Sequence, residues 1–127
     1  MQPIQLFELA SRQAEWLSVR QGAVSGNIAN ANTPTFRAKD VEPFEFVLQN
    51  QTTPMAATNS RHFADSPTST YVVQSDEDKK AVAKLSGNSV DLSEELMKQG
   101  QIRRDYDLNT AIVKAFNKMM LTAVRKG

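Results

Sequence analysis

Few side chains in this sequence can do chemistry. There is one histidine, His62, and no cysteine, so neither a nucleophile–base pair nor a thiolate or multi-histidine metal set can be assembled. His62 sits in a polar stretch and reads as a surface residue. Asp105 and Asp107 are two apart on a helical pattern, so they face apart and make a poor acid pair. No glycine-rich phosphate loop and no HExxH pattern occurs. Arg103-Arg104 is offset by the acids beside it, and a net charge of +1 gives little reason to bind nucleic acid. Catalysis, metals, cofactors and nucleic acid are therefore not expected. What remains is directional hydrogen bonding by amides. Asn27, Asn30 and Asn32 crowd into Asn27–Pro34, where a helix needing only solubility would carry Glu or Lys. Their plain reading is helix-end residues competing for backbone groups; their functional reading is a polar contact surface.

The element that carries the asparagines is a long helix. Leu6, Ala10, Leu17, Val24, Ile28 and Ala31 recur at spacings of three, four and seven, and positions 10, 17, 24 and 31 form a heptad seam. Gln13 and Arg20 interrupt it, which disfavours a self-sufficient zipper. Ile4–Ala31 as a helix is roughly 42 Å long, more than one small globule covers, so part of it should pack on another subunit. Pro34 forces the helix to end at or before Asn32, with Asn32 as a left-handed cap. Pro43 suits the first turn of a short amphipathic helix to Gln49, with Phe44, Val47 and Leu48 on one side folding back onto the long helices.

From Gln49 to Ser75 the composition is Thr, Ser, Asn, Gln and Pro, with Pro54 and Pro67 as breakers. Such a stretch has little to bury and should be mobile. Tyr71–Gln74 reads as a short strand in one hairpin between Gln49 and Leu85, and Asp76–Lys80 as a solvated charge run. Gly87-Asn88 makes a turn. Asp91-Leu92-Ser93-Glu94 then has capping-box spacing, opening a second long helix to about Arg125. Its expected seam is Leu92, Leu96, Tyr106, Val113, Met120 and Val124, flanked by Ile102, Ile112, Phe116, Met119 and Ala123. Gly100 predicts a kink or a close helix crossing.

The expected fold is mainly α: two long terminal helices packed as an antiparallel coiled-coil-like hairpin, with a poorly ordered middle carrying a short β-hairpin. The divisions are 1–33 for the first helix, 34–49 for a turn and short helix, 50–87 for the polar middle and 88–127 for the second helix. At 40% apolar residues and a mean hydropathy of −0.44 the chain is not rich in core, and no apolar run reaches the roughly 20 residues that span a bilayer. Met1-Gln2-Pro3-Ile4-Gln5 lacks a basic, then apolar leader pattern, so no cleaved signal peptide and no direct membrane insertion are expected. Two imperfect seams with excess length imply polymerisation, with Leu6, Ala10, Leu17, Val24, Tyr106, Val113, Phe116 and Met120 supplying apolar burial between subunits. A soluble coiled-coil adaptor or chaperone, and a DNA-associated helical protein, are the rival readings.

Asn27-Ile28-Ala29-Asn30-Ala31-Asn32-Thr33-Pro34, followed by Thr35-Phe36-Arg37, resembles the N-terminal signature of flagellar rod, hook and related axial proteins. Two positions depart from it: Gly26 stands where alanine is usual and Thr35 where glycine is, and Thr resists the positive φ that glycine allows. Gly87–Glu95 is similar to the motif that opens the C-terminal helix of a proximal-rod member of that family. Arg104-Asp105-Tyr106-Asp107-Leu108-Asn109 is similar to the R-x-Y-x-x-N of other members. The G-D-P-x-H-P-D-A stretch of FlgC is missing, although a FlgC-like subunit stays an alternative.

The resemblance implies a structural subunit of the proximal rod in the flagellar basal body. The rod crosses the periplasm and transmits torque, and such a subunit leaves the cell uncleaved through the flagellum's own type III export apparatus. Implied partners are copies of itself, the rod proteins FlgC and FlgF, the ring-adjacent adaptor FliE, and the membrane ring and export apparatus. Carried over, Asn27, Ile28, Asn30, Ala31, Thr33, Pro34 and Asn109 would sit at subunit contacts, and Asp91 and Leu92 would set the start and register of the second helix.

Overall fold

The computed structural model describes residues 3–49, 73–75 and 85–125. Two long helices dominate: α1, Pro3–Ala29, and α3, Leu92–Arg125. Between them lie β1, Lys39–Val41, the short helix α2, Phe44–Gln49, and β2, Val73–Ser75. Pro3 opens α1, where its missing N–H costs nothing. Asp91 caps α3: its Oδ1 accepts from the N–H groups of Ser93 at 2.9 Å and Glu94 at 3.4 Å, satisfying donors that a helix start leaves open.

The helices run antiparallel. Phe7 meets Phe116 edge-on, ring centroids 5.6 Å apart, Asn109 reaches the Ala10 carbonyl, and Asn27 reaches Glu95. On α1 the heptad positions Ala10, Leu17 and Val24 are buried, as the periodicity predicts. On α3 the spacing of seven is right but its phase is not. The buried residues are Glu95, Ile102 and Asn109, whereas Leu92, Leu96, Tyr106, Met120 and Val124 are exposed. Apolar count alone favours the wrong row, because the groups of α1 that α3 meets at Asn27 and Ala10 are polar and select polar partners.

The core gathers Trp16, Leu17, Val24, Val41 and Ile102, with Val19, Ala23, Ile28, Phe44 and Val47 packed against it. Trp16 anchors the return of the chain: its Nε1–H donates to the Glu42 carbonyl at 2.8 Å, and its ring lies 5.8 Å from that of Phe44. The α2 face thus folds back through Phe44 and Val47, while Phe46 and Leu48 stay exposed.

Three local expectations are corrected. The strand at Val73–Ser75 pairs antiparallel with Lys39–Val41, with Val41 opposite Val73, so among the described residues its partner lies before α2. The rest of that expected hairpin, His62 and the Asp76–Lys80 run lie outside the described residues. Gly100 neither breaks α3, which is continuous through it, nor marks a close crossing, since a Cβ there would meet nothing within 4 Å. Asn32 is not the left-handed residue, because α1 ends at Ala29 and the one positive φ among described non-glycine residues is that of Thr35, 62°.

Thr35 therefore takes the conformation that the axial-protein signature provides for with glycine. It is held there from outside: its N–H donates to the Ser86 carbonyl at 2.9 Å and the Ser89 N–H donates to Phe36 at 3.0 Å, and across the turn sits Gly87, φ 71°. A β-branched residue in this region costs on the order of 1–2 kcal/mol. Thr35→Gly removes that strain but adds unfolded-state freedom, so a net gain of about 1 kcal/mol is expected, read as a thermal midpoint about 4 °C higher. An unchanged or lowered midpoint would show the turn to be unstrained.

Candidate assembly interface

The asparagine signature is built into the interior first. Asn27 is 1% exposed and all of its amide is used. Its Nδ2 donates to the Lys39 carbonyl at 2.6 Å and to Glu95 Oε2 at 3.0 Å, and its Oδ1 accepts from the Lys39 N–H at 2.9 Å. The side chain behaves as a one-residue strand toward β1 while holding α3. Asn30 Nδ2 donates to the Gly26 carbonyl, and Thr33 Oγ1 to Asn30 Oδ1.

Asn88, 2% exposed, closes the same end from the other side. Its Nδ2 donates to the carbonyls of Asn30 and Thr33, both at 2.8 Å, beyond the last turn of α1 where carbonyls lack helical partners. Its Oδ1 accepts from Val90. Asn109 Nδ2 donates to the Ala10 carbonyl at 2.9 Å. Among the described residues no buried side-chain nitrogen or oxygen lacks a partner.

Glu95 is 2% exposed and tolerates burial because Lys98 Nζ lies 3.1 Å from its Oε1 opposite the Asn27 contact. Lys98 also reaches Asp40 and Glu94, each at 3.4 Å, and Asp40 accepts from Arg20 at 3.1 Å. Arg20, which interrupts the apolar seam, thus ties α1 to β1 while lying over the Trp16 ring, 5.4 Å from its centroid.

Partial burial pushes the Asp40 carboxyl up, but the hydrogen bonds from Arg20 and from the Val41 N–H, with the charges of Arg20 and Lys98, outweigh it and hold the group below its usual value. For Lys98 burial pushes down, and Glu95, Asp40 and Glu94 outweigh it, so the ammonium is raised. A lowered acid stabilises the fold above its unfolded pKa and loses that contribution as pH falls through the folded value; a raised base stabilises below its unfolded pKa and loses it as pH rises through the folded value. Urea midpoints are therefore expected to be flat between about pH 4 and pH 10 and to fall on both sides. Asp40→Asn should flatten the acid limb; an acid limb unchanged in that variant would remove Asp40 from the network.

α3 buries two polar side chains, Glu95 and Asn109, while it leaves several large apolar ones exposed. Met97, Leu108, Ile112 and Met119 are 70%, 61%, 46% and 61% exposed and, by helical geometry, lie along one flank of α3, about 60–140° round from the row of Ile102 and Asn109. α3 has 34 residues to the 27 of α1 and, paired from Phe7 and Phe116, runs past the start of α1. There Met119, Met120, Leu121 and Val124 are exposed. A recess of about 560 Å³ lined by Ala115, Lys118, Met119, Thr122 and Ala123 opens on this end. A larger groove of about 950 Å³ follows one flank of the hairpin, with Ala14, Leu17 and Ser18 facing Leu96, Gly100, Ile102 and Tyr106.

The sequence-predicted contact residues divide accordingly. Ala10, Leu17, Val24, Asn27 and Asn109 are buried inside the chain; Leu6, Ile28, Asn30, Ala31, Val113 and Phe116 are half-buried; Thr33, Pro34, Asp91, Leu92, Tyr106 and Met120 are exposed. Sequence reasoning missed Arg20, Asp40, Glu95 and Lys98 as one network, and Asn88 as the residue that closes the end of α1. The i,i+3 pairing of Glu95 with Lys98 was visible as a helical charge pair, but nothing local connects it to Asp40. It also missed Leu108 and Leu121 as exposed apolar residues. Among the described residues no cluster of three or more His, Asp or Glu could hold a metal, and no helix is long and apolar enough to cross a membrane.

No family model matches the chain. It is 55% identical over 130 residues, covering 99% of this chain and 97% of the relative, to the flagellar basal body rod protein FlgB of Agrobacterium fabrum.

Proposed function

From the premise that the chain belongs to the FlgB family of flagellar basal body rod proteins, we propose that it is a proximal-rod subunit that polymerises through its two terminal helices and transmits torque. It is a structural subunit of the basal-body rod, associated with other rod components. The observation that supports the helices as the polymerising part is that α3 turns Glu95 and Asn109 inward and leaves Leu108, Ile112, Met119 and Leu121 outside. A helix with large apolar side chains exposed along its flanks needs a second covering, and large exposed apolar patches mark protein interaction sites.

On this reading Ala10, Leu17, Val24, Asn27 and Asn109 serve assembly by shaping the hairpin. Leu6, Ile28, Asn30, Ala31, Thr33, Pro34, Asp91, Leu92, Tyr106, Val113, Phe116 and Met120 contact neighbours directly. Those neighbours are further copies, FlgC, FlgF, the adaptor FliE and the membrane ring with its export apparatus, through which the chain passes without a cleaved signal peptide. It has no enzymatic activity, cofactor or nucleic-acid partner; its chemistry is hydrogen bonding and apolar burial. The divisions 1–33, 34–49, 50–87 and 88–127 are its functional segments.

Electron cryotomography of flagellar motors in cells lacking the gene, beside a complemented strain, tests this. Rings and export apparatus without a rod, restored on complementation, are expected. Complete rods and hooks in the deletion strain would overturn it in favour of the coiled-coil adaptor.

A further inference from the structure

We infer that the buried asparagines Asn27, Asn88 and Asn109, and not the apolar seam, select the single register of the α1/α3 hairpin. That seam is poor in apolar residues. On α1 it offers Ala10, Leu17 and Val24 at intervals of seven; on α3 the matching row has one buried apolar residue, Ile102, between Glu95 and Asn109. Sliding α3 by one heptad moves Ile102 from one apolar neighbour to another and breaks the edge-on pair of Phe7 with half-buried Phe116, worth about 0.5–1.5 kcal/mol beyond its area, so the apolar contacts oppose the slip only weakly. A seven-residue repeat is degenerate by construction, and a polar residue in the seam is the device that breaks such degeneracy.

The three amides break it here. Each reaches across the hairpin to a partner of fixed position: Asn27 to Glu95, Asn88 to the carbonyls of Asn30 and Thr33, and Asn109 to that of Ala10. In either shifted register all three lose those partners, and Glu95 loses the amide that accompanies Lys98. Buried polar groups left unpaired are expensive, so the cost of slipping falls on hydrogen bonds and not on apolar area.

For a rod subunit, a reading on which only this consequence rests, register decides which apolar residues stand outside. A slip of one heptad displaces Leu108, Ile112 and Met119 by about 10 Å along the hairpin, which would misalign every neighbour.

The chain has no cysteine, so pairs introduced for cross-linking report cleanly. Ala14 and Tyr106 line the same groove, and A14C/Y106C reports the native register with a short bismaleimide. A14C/V113C and A14C/Q99C report the two one-heptad slips. In the otherwise native chain the first pair is expected to dominate at least tenfold. In N27L/N109L, with helical circular dichroism retained, the slipped pairs should rise at least tenfold against the native one, whereas L17A, which thins the seam, should cross-link in the native register alone. If N27L/N109L loses its helices, N109L by itself, which only extends the apolar row, decides by the same ratio. Native cross-linking in the leucine variants, or slippage in L17A, would overturn the inference. Neither result touches the rod assignment, which stands or falls on whether rods form without the gene.

Discussion

Asn27→Ala is expected to cost the isolated chain about 3–5 kcal/mol, a large share of the roughly 5–15 kcal/mol that a domain has to lose. The substitution deletes three hydrogen bonds at once. It also strands what they served: the Lys39 N–H and carbonyl, and one oxygen of a Glu95 carboxylate that is 2% exposed. An orphaned buried backbone group costs about 1–3 kcal/mol, and breaking the support of a buried charge costs several more. Urea titration followed by circular dichroism measures the total, and hydrogen exchange at β1 and at the first turns of α3 shows where it falls. Both regions should lose protection together, because one amide holds both. A midpoint shift worth less than about 0.5 kcal/mol would mean that water replaces the amide and that the junction is incidental.

The opposite profile is expected for Met119→Asp combined with Leu121→Asp. Both side chains are exposed, 61% and 58%, on the stretch of α3 that runs past the start of α1, so the free subunit should melt within about 0.5 kcal/mol of the parent. Assembly is another matter. If a neighbour covers this end, each aspartate becomes a buried charge without a partner, at a cost of several kcal/mol in every contact of the polymer. Swimming in soft agar and rod formation by cryotomography should both be lost while export into the medium continues. A motile strain carrying the pair would place the subunit contact elsewhere on the hairpin. Val113→Asp or Phe116→Asp, at half-buried positions, should abolish motility too, but with a loss of subunit stability beside it, since Phe116 also packs on Phe7.

Read from the sequence by itself, the two helices, their ends within a few residues, the cap at Asp91, and the heptad on α1 were all determined, because each depends on spacing and local backbone chemistry. The family signature was legible for the same reason. Tertiary structure decided the phase of α3. Whether Leu96 and Tyr106 or Glu95 and Asn109 face α1 depends on partners far away in sequence, and a polar residue is favourable inside only where such a partner waits. It likewise decided that Lys39–Val41 pairs with Val73–Ser75, that Arg20 and Lys98 share Asp40, and that Thr35 adopts a conformation its own side chain opposes. Local preference is set by a residue and its near neighbours, but these outcomes are set by hydrogen bonds closed across tens of residues. Only the folded hairpin brings those groups within reach.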